Sequence, residues 1–262
     1  MTAVARLLII AGSDSGGGAG IQADVKTASA LGVYAATAIT AITAQNTRGV
    51  QAVQMLPPGL IAAQITSVLA DIGADAVKIG MLGDVATIAT VADALRGFAG
   101  PVVLDPVMVA KSGDALLAPE AVAALRTRLL PRATLLTPNL PEAERLLGRS
   151  AAPEETGQAL RALGAEAVLM KGGHADGPVC RDLLITAEGC RAFEAPRIAT
   201  RNTHGTGCSL SSAIASGLAR GMALPEAVAR AHGWLQGAIR AADTLAIGAG
   251  HGPVHHFHEV WS

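Results

Sequence analysis

The chain has 262 residues and a formal net charge of -1, with 20 basic and 21 acidic side chains spread through it, so it offers neither a basic face for nucleic acid nor an acidic tail. Aromatic residues are 2 % of the sequence, too few for a base-stacking surface, and the three cysteines (Cys180, Cys190 and Cys208) show no C-x-x-C or metal-like spacing. The length suits one α/β domain over residues 1–262 with a large core, and the expected partner is a small molecule.

Short apolar runs alternate with amphipathic stretches, the pattern of βαβ units around a mostly parallel sheet. Strands are expected over Arg6 to Ala11, Tyr34 to Ile42, Ala76 to Ile79, Val102 to Asp105, Leu135 to Thr137 and Ala167 to Met170. Helices are expected over Ala19 to Leu31, Pro58 to Ala70, Asp84 to Phe98, Pro119 to Leu129, Leu140 to Leu147 and Pro153 to Leu163, several opening on Pro or Asp. After Lys171 the rhythm breaks: Arg181 to Thr186 and Arg191 to Pro196 flank Glu188-Gly189 as an antiparallel hairpin, and two helices follow, Thr206 to Arg220 and Pro225 to Ala241. An open, doubly wound sheet with an antiparallel edge fits this better than an eight-stranded barrel. The apolar Ala5 to Ala11 is too short to span a membrane and runs into Gly12 and Asp14, not a cleavage site, so a cytoplasmic protein is expected, with Cys180 and Cys190 as reduced thiols that could face each other across the hairpin.

The most informative stretch is Asn202 to Ser209. Gly205 and Gly207 let backbone approach a ligand, and the following helix start turns its N–H groups and dipole on an anion. Cys208 stands in the same turn, where a helix N-terminus lowers a thiol's pKa and equips it to accept a proton. Phosphoryl transfer is the chemistry this combination suits.

Gly12 to Gly20 follows the first strand with glycines at Gly16, Gly17 and Gly18, but has neither the Gly-Lys-Ser/Thr ending of a Walker loop nor G-x-G-x-x-G spacing. Asp24, one turn into the next helix, either complements the helix dipole or bonds substrate donors. Gln45 and Asn46 follow a strand, where an amide can read a heterocycle or simply sit in solvent. Asp105 ends a strand, and Asn139 to Glu142 take the equivalent place after the next one. Together they suit Mg²⁺ bound mainly through water and phosphates, while Asn139 also reads as a helix cap. Lys171 follows a buried strand within reach of a polyphosphate, and Lys111 to Asp114 forms a loop able to close over the site or an ordinary surface turn. The C-terminal His251, His255, His256 and His258 lack H-E-x-x-H spacing.

These motifs occur in one order: Gly12 to Asp24, Ala44 to Thr47, Lys78 to Leu82, Lys111 to Asp114, Thr137 to Glu142, Met170 to His174 and His204 to Cys208. In this the chain resembles the hydroxymethylpyrimidine and phosphomethylpyrimidine kinases of thiamine biosynthesis, within the ribokinase superfamily. The resemblance runs from Ala5 almost to the C-terminus. It implies a ribokinase-like three-layer α/β/α fold, ATP and Mg²⁺, a homodimer, and phosphorylation of 4-amino-5-hydroxymethyl-2-methylpyrimidine and then of its monophosphate. It further implies a pyrimidine pocket from Gly12, Ala19, Asp24, Gln45, Met81 and Val107, with Asp24 and Gln45 as polar readers. Asp105 and Glu142 would organise the metal, and Lys171, Asn139 and Thr206 the ATP. The backbone from Gly205 through Thr206 and Gly207 to Cys208 would form the anion hole. Most sugar kinases of the superfamily carry an aspartate where this chain has Cys208, a difference shared with some pyridoxal kinases. A pyridoxal kinase and a non-catalytic pyrimidine or nucleotide binder are the alternatives.

Overall fold

The computed structural model describes residues 3–110, 113–173 and 177–261. Lys111, Ser112 and His174, named above in two motifs, lie outside these. In chain order the strands are β1 (Arg6–Asp14), β2 (Tyr34–Asn46), β3 (Gly49–Met55), β4 (Ala76–Ile79), β5 (Val102–Leu104), β6 (Leu135–Leu136), β7 (Val168–Met170), β8 (Val179–Ile185) and β9 (Cys190–Pro196). The helices are α1 (Gly20–Ala30), α2 (Pro58–Asp71), α3 (Val85–Ala94), α4 (Ala121–Ala124), α5 (Leu140–Leu147), α6 (Pro153–Ala162), α7 (Thr206–Ala219) and α8 (Leu224–Arg240).

Among the described residues the strands form one sheet in the order β3-β2-β1-β4-β5-β6-β7-β8-β9. From β2 to β7 every neighbour is parallel. The expected hairpin β8–β9 runs antiparallel at one edge, and β3 adds an antiparallel strand at the other that the sequence reading does not contain. Successive residues of β1 feed opposite faces, as the period of two in a strand requires. Leu8 and Ile10 join the layer with α2, α3, α5 and α6, while Leu7 and Ile9 join the layer with α1, α7 and α8. The architecture is the doubly wound α/β/α sandwich that the alternating pattern implies.

Two local departures have simple causes. The helix expected over Pro119 to Leu129 is α-helical only at α4, widens to a π-helical turn over Leu125–Leu129, and ends in a 3₁₀ turn at Leu130–Arg132. There Pro131 has no N–H to continue the ladder. Cys180 and Cys190 do not face each other: the register pairs Cys180 with Ala195 and Cys190 with Ile185, at opposite ends of the hairpin, and both thiols are free.

Strand order reverses at β1, which has β2 on one side and β4 on the other. In such sheets ligands bind at the switch point, outside the carboxyl ends of the strands. The residues following β1, β4, β5, β6 and β7 therefore meet over one cleft.

Candidate active site

A cleft of about 940 Å³ opens over these strand ends. Ala19, Gln45, Met81 and Val107 line it, together with Thr206, Gly207, Cys208 and Lys171. Asp105, Asn139, Glu142 and Gly205 also reach it. Ile198, His232, Leu235 and Ile239 line it as well.

The Gly205–Cys208 turn has the backbone geometry that its glycines suggest. Gly205 caps α7 with φ 82°, the left-handed conformation that only glycine adopts freely, and its carbonyl accepts the Ser209 N–H at 2.8 Å. The N–H groups of Gly207 and Cys208 belong to the first turn, which a helix leaves without intrahelical acceptors. A Cβ at 207 would stand 3.4 Å from Lys171 Nζ and 3.6 Å from Asp105 Oδ2, in ordinary contact with both charged groups.

Asp105 follows β5, and its backbone N–H bonds the Ile79 carbonyl, extending the parallel ladder by one residue. Its Oδ1 accepts from Lys171 Nζ at 2.8 Å and from Thr137 Oγ1 at 3.0 Å. Burial opposes the charge, but Lys171 and Lys78 outweigh it and hold this carboxyl below its ordinary range. Asn139 and Glu142 form a capping box at α5: Asn139 Oδ1 accepts the Glu142 N–H, and Glu142 Oε2 accepts the Asn139 N–H, both at 2.8 Å. The cap read from the sequence is therefore present, and the same Glu142 Oε2 stands 3.8 Å from Lys171 Nζ. Burial raises the Glu142 carboxyl despite Lys171, with Asp105 adding to the rise. One lysine thus faces two carboxylates, and the surplus negative charge is what a hard cation relieves. Among the described residues no cluster of three or more His, Cys, Asp or Glu could cage a metal. A divalent ion at this pair would need phosphate or water oxygens to complete its shell, as Mg²⁺ commonly does.

Three readings of the sequence need correction. Asp24 does not line the cleft; it is fully buried, with Oδ2 2.7 Å from Lys78 Nζ and Oδ1 accepting from Ser212 Oγ at 2.7 Å. The residue that reaches the cleft from this pair is Lys78. Gly12 is not in the lining either: a Cβ there would come within 2.9 Å of Met81 Sδ, so its role is to let β1 pass against Met81. Third, the Cys208 thiol is not acidified by the helix start. Burial pushes it up to about 11, with Asp24 and Asp105 adding to the rise and Lys78 and the Gly20 N–H opposing it.

Sequence reasoning also missed Asp14 and His204 as a pair. Asp14 lies at the end of β1, 2.8 Å from His204 Nε2, and both residues line the cleft beside Gln45. The signals were an acidic residue in a glycine-rich run and a histidine before Gly205, but the pairing across 190 positions is not legible locally.

A doubly wound sheet, a glycine-turned helix start without a Walker loop, and a lysine between two carboxylates at the switch point together fit a small-molecule phosphotransferase of the ribokinase type. Residues 14–255 match the family model for phosphomethylpyrimidine kinase, and the chain belongs to that family. A hydroxymethylpyrimidine/phosphomethylpyrimidine kinase from Rhizobium meliloti is 56 % identical over 266 residues, covering 100 % of this chain and 99 % of the relative. Among solved structures, the ADP complex of Bacillus subtilis pyridoxal kinase matches with a TM-score of 0.90 at 36 % identity, covering 99 % of this chain and 100 % of that one. A phosphomethylpyrimidine kinase from Clostridium difficile 630 matches with a TM-score of 0.80 at 43 % identity, covering 90 % and 99 %.

Proposed function

We propose that this chain is a single kinase domain that uses ATP to phosphorylate 4-amino-5-hydroxymethyl-2-methylpyrimidine and then its monophosphate. The observation that carries this reading is one cleft lined by the Gly205–Cys208 turn, Lys171, Asp105 and Glu142 together with Gln45. The amide of Gln45 suits a heterocycle that both gives and accepts a hydrogen bond. Its backbone is fixed by a reciprocal pair with Ser15, the Gln45 N–H donating to Ser15 Oγ and that hydroxyl donating to the Gln45 carbonyl, both at 2.8 Å.

In the first transfer the hydroxymethyl oxygen forms a bond to the γ-phosphorus as the bond to the ADP oxygen breaks. The alcohol's proton passes to Cys208 Sγ, present at neutral pH as a small thiolate fraction. In the second transfer the acceptor oxygen is already anionic and no base is required. Lys171 and the first-turn N–H groups of α7 stabilise the negative charge spread over the transferring group, which is where most of the acceleration arises. Mg²⁺ held by Asp105 and Glu142 would supply further neutralisation of phosphate oxygens.

The three free cysteines suit a reducing cytoplasm. Among the described residues no helix is long and apolar enough to cross a membrane. The edge strand β3, with Val53 exposed and Ile42 and Tyr34 exposed on neighbouring β2, supports a homodimer. The substrate reading is tested by measuring kcat/KM for the pyrimidine alcohol and for pyridoxal side by side. The pyrimidine is expected to be preferred at least tenfold, and a preference for pyridoxal would make this chain a pyridoxal kinase.

A further inference from the structure

We infer that Asp14 and His204 form a clasp that holds the acceptor wall of the cleft and the phosphate-binding turn in register, so that both act as positioning residues for the transfer; this rests on the kinase reading above. Asp14 is nearly inaccessible, and its carboxylate is saturated. Oδ1 accepts the Gly16 N–H at 2.8 Å, and Oδ2 accepts the Gly18 and Ala19 N–H groups at 3.1 and 2.8 Å together with His204 Nε2 at 2.8 Å. A carboxylate only accepts, so the imidazole proton sits on Nε2.

His204 immediately precedes Gly205, the cap of α7. Its backbone N–H bonds the Gly252 carbonyl at 3.0 Å, which anchors the residue from which both the ring and the turn depart. The two loops also meet without spare room: a Cβ on Gly18 would stand 2.5 Å from His204 Cδ2, and one on Gly205 would overlap the Gly18 carbonyl oxygen. On the acceptor side, Gln45 Nε2 lies 3.5 Å from His204 Nε2, and Gln45 Oε1 lies 3.1 Å from Thr43 Oγ1. Because His204 Nε2 has given its hydrogen to Asp14, the Gln45 amide rests against the ring without bonding to it, and its own hydrogens remain for the acceptor.

The imidazole is not needed to satisfy Asp14, which already receives three backbone N–H groups. What the ring adds is a fixed relation between the amide that reads the acceptor and the amides that bind the phosphoryl group. A displacement of about 1 Å between such groups costs on the order of 100-fold in rate.

The test compares the unmutated enzyme with His204→Phe, which keeps a ring against Gly18 but cannot donate, and with His204→Gln, whose amide can. Two quantities are read: the rate at which iodoacetamide alkylates Cys208, followed by peptide mass with exposed Cys190 as internal reference, and the KM for the acceptor. In His204→Phe both rise more than threefold while Cys190 is unchanged, and His204→Gln lies closer to the unmutated enzyme in both. A merely structural pair would lower the melting temperature without moving either quantity. Either value staying within threefold of the unmutated enzyme in His204→Phe overturns the clasp. If that variant does not fold, Asp14→Asn is read by the same two criteria. Failure of the unmutated enzyme to turn over the pyrimidine would overturn the substrate assignment instead, and the alkylation arm with the KM for whichever alcohol it accepts still decides the clasp.

Discussion

Lys78 Nζ lies 2.7 Å from Asp24 Oδ2, and neither side chain has any solvent exposure. The otherwise apolar strand β4 thus carries a charge that reaches the cleft, matched by a carboxylate from α1. Removing one partner leaves the other buried and uncompensated, which costs about 3–5 kcal/mol. Lys78→Met is expected to lose that much in urea unfolding, and Lys78→Met combined with Asp24→Leu to recover most of it. A single variant within about 1 kcal/mol of the unmutated protein would mean that the pair is not held as charges.

The two glycines of the turn are expected to differ. At Gly205 an alanine must adopt φ near 82° and overlap the Gly18 carbonyl, so Gly205→Ala should lose at least about 1–3 kcal/mol of stability. At Gly207 the added methyl meets Lys171 and Asp105 at ordinary contact distance, so Gly207→Ala should unfold within about 1 kcal/mol of the unmutated protein. That methyl fills the phosphate's place, however, and the KM for ATP should rise at least tenfold. Thermal unfolding and initial rates on both variants check the contrast, and a Gly207→Ala enzyme with unchanged KM would remove the turn from ATP binding.

How much of this was legible in the sequence depended on whether a residue's neighbours lay close in the chain. The parallel strands and the helix cap at Asn139 were legible because an apolar run or a cap residue followed by Pro and Glu carries the whole signal. Strand β3 was missed because Gly49–Met55 sits exposed at an edge and shows no apolar alternation. Asp24 was assigned to substrate because its partners, Lys78 and Ser212, lie 54 and 188 positions away. Cys208 shows the same limit in electrostatic form: its place at a helix start was legible, whereas the burial that outweighs the helix start was not.

The thiol's position on the pH scale gives a kinetic prediction. With Cys208 pushed up to about 11, its reactive thiolate fraction grows about tenfold per pH unit below that value. Transfer to the alcohol should therefore quicken with pH up to about 11, while transfer to the anionic monophosphate should not follow the thiol. Cys208→Ala should lose about 100- to 10,000-fold on the alcohol and little on the monophosphate. Parallel pH–rate profiles for the two acceptors check this, and an alcohol rate unchanged in Cys208→Ala across pH would take the proton transfer away from this residue.

His256 gives a stability prediction of definite sign. It is buried against Ser209 Oγ at 3.0 Å, and burial, with Lys26 adding to it, depresses its pKa from 6.5 to about 3. Because the unfolded chain takes up this proton first, the group costs no stability above pH 6.5 and progressively destabilises the fold from there down to about 3. The loss approaches about 1.4 kcal/mol per pH unit. Urea unfolding at about pH 7.5 and about pH 5 should show this fall in the unmutated protein and a shallower one in His256→Gln. Equal slopes would mean that the imidazole is not buried neutral.

The most direct measurement of the central claim is the stoichiometry and mass of the products formed when the enzyme is given ATP and the pyrimidine alcohol. A single site that serves both acceptors should convert the alcohol to its monophosphate and then its diphosphate, releasing two ADP per pyrimidine. Accumulation of monophosphate with one ADP, or no ADP at all, would contradict it.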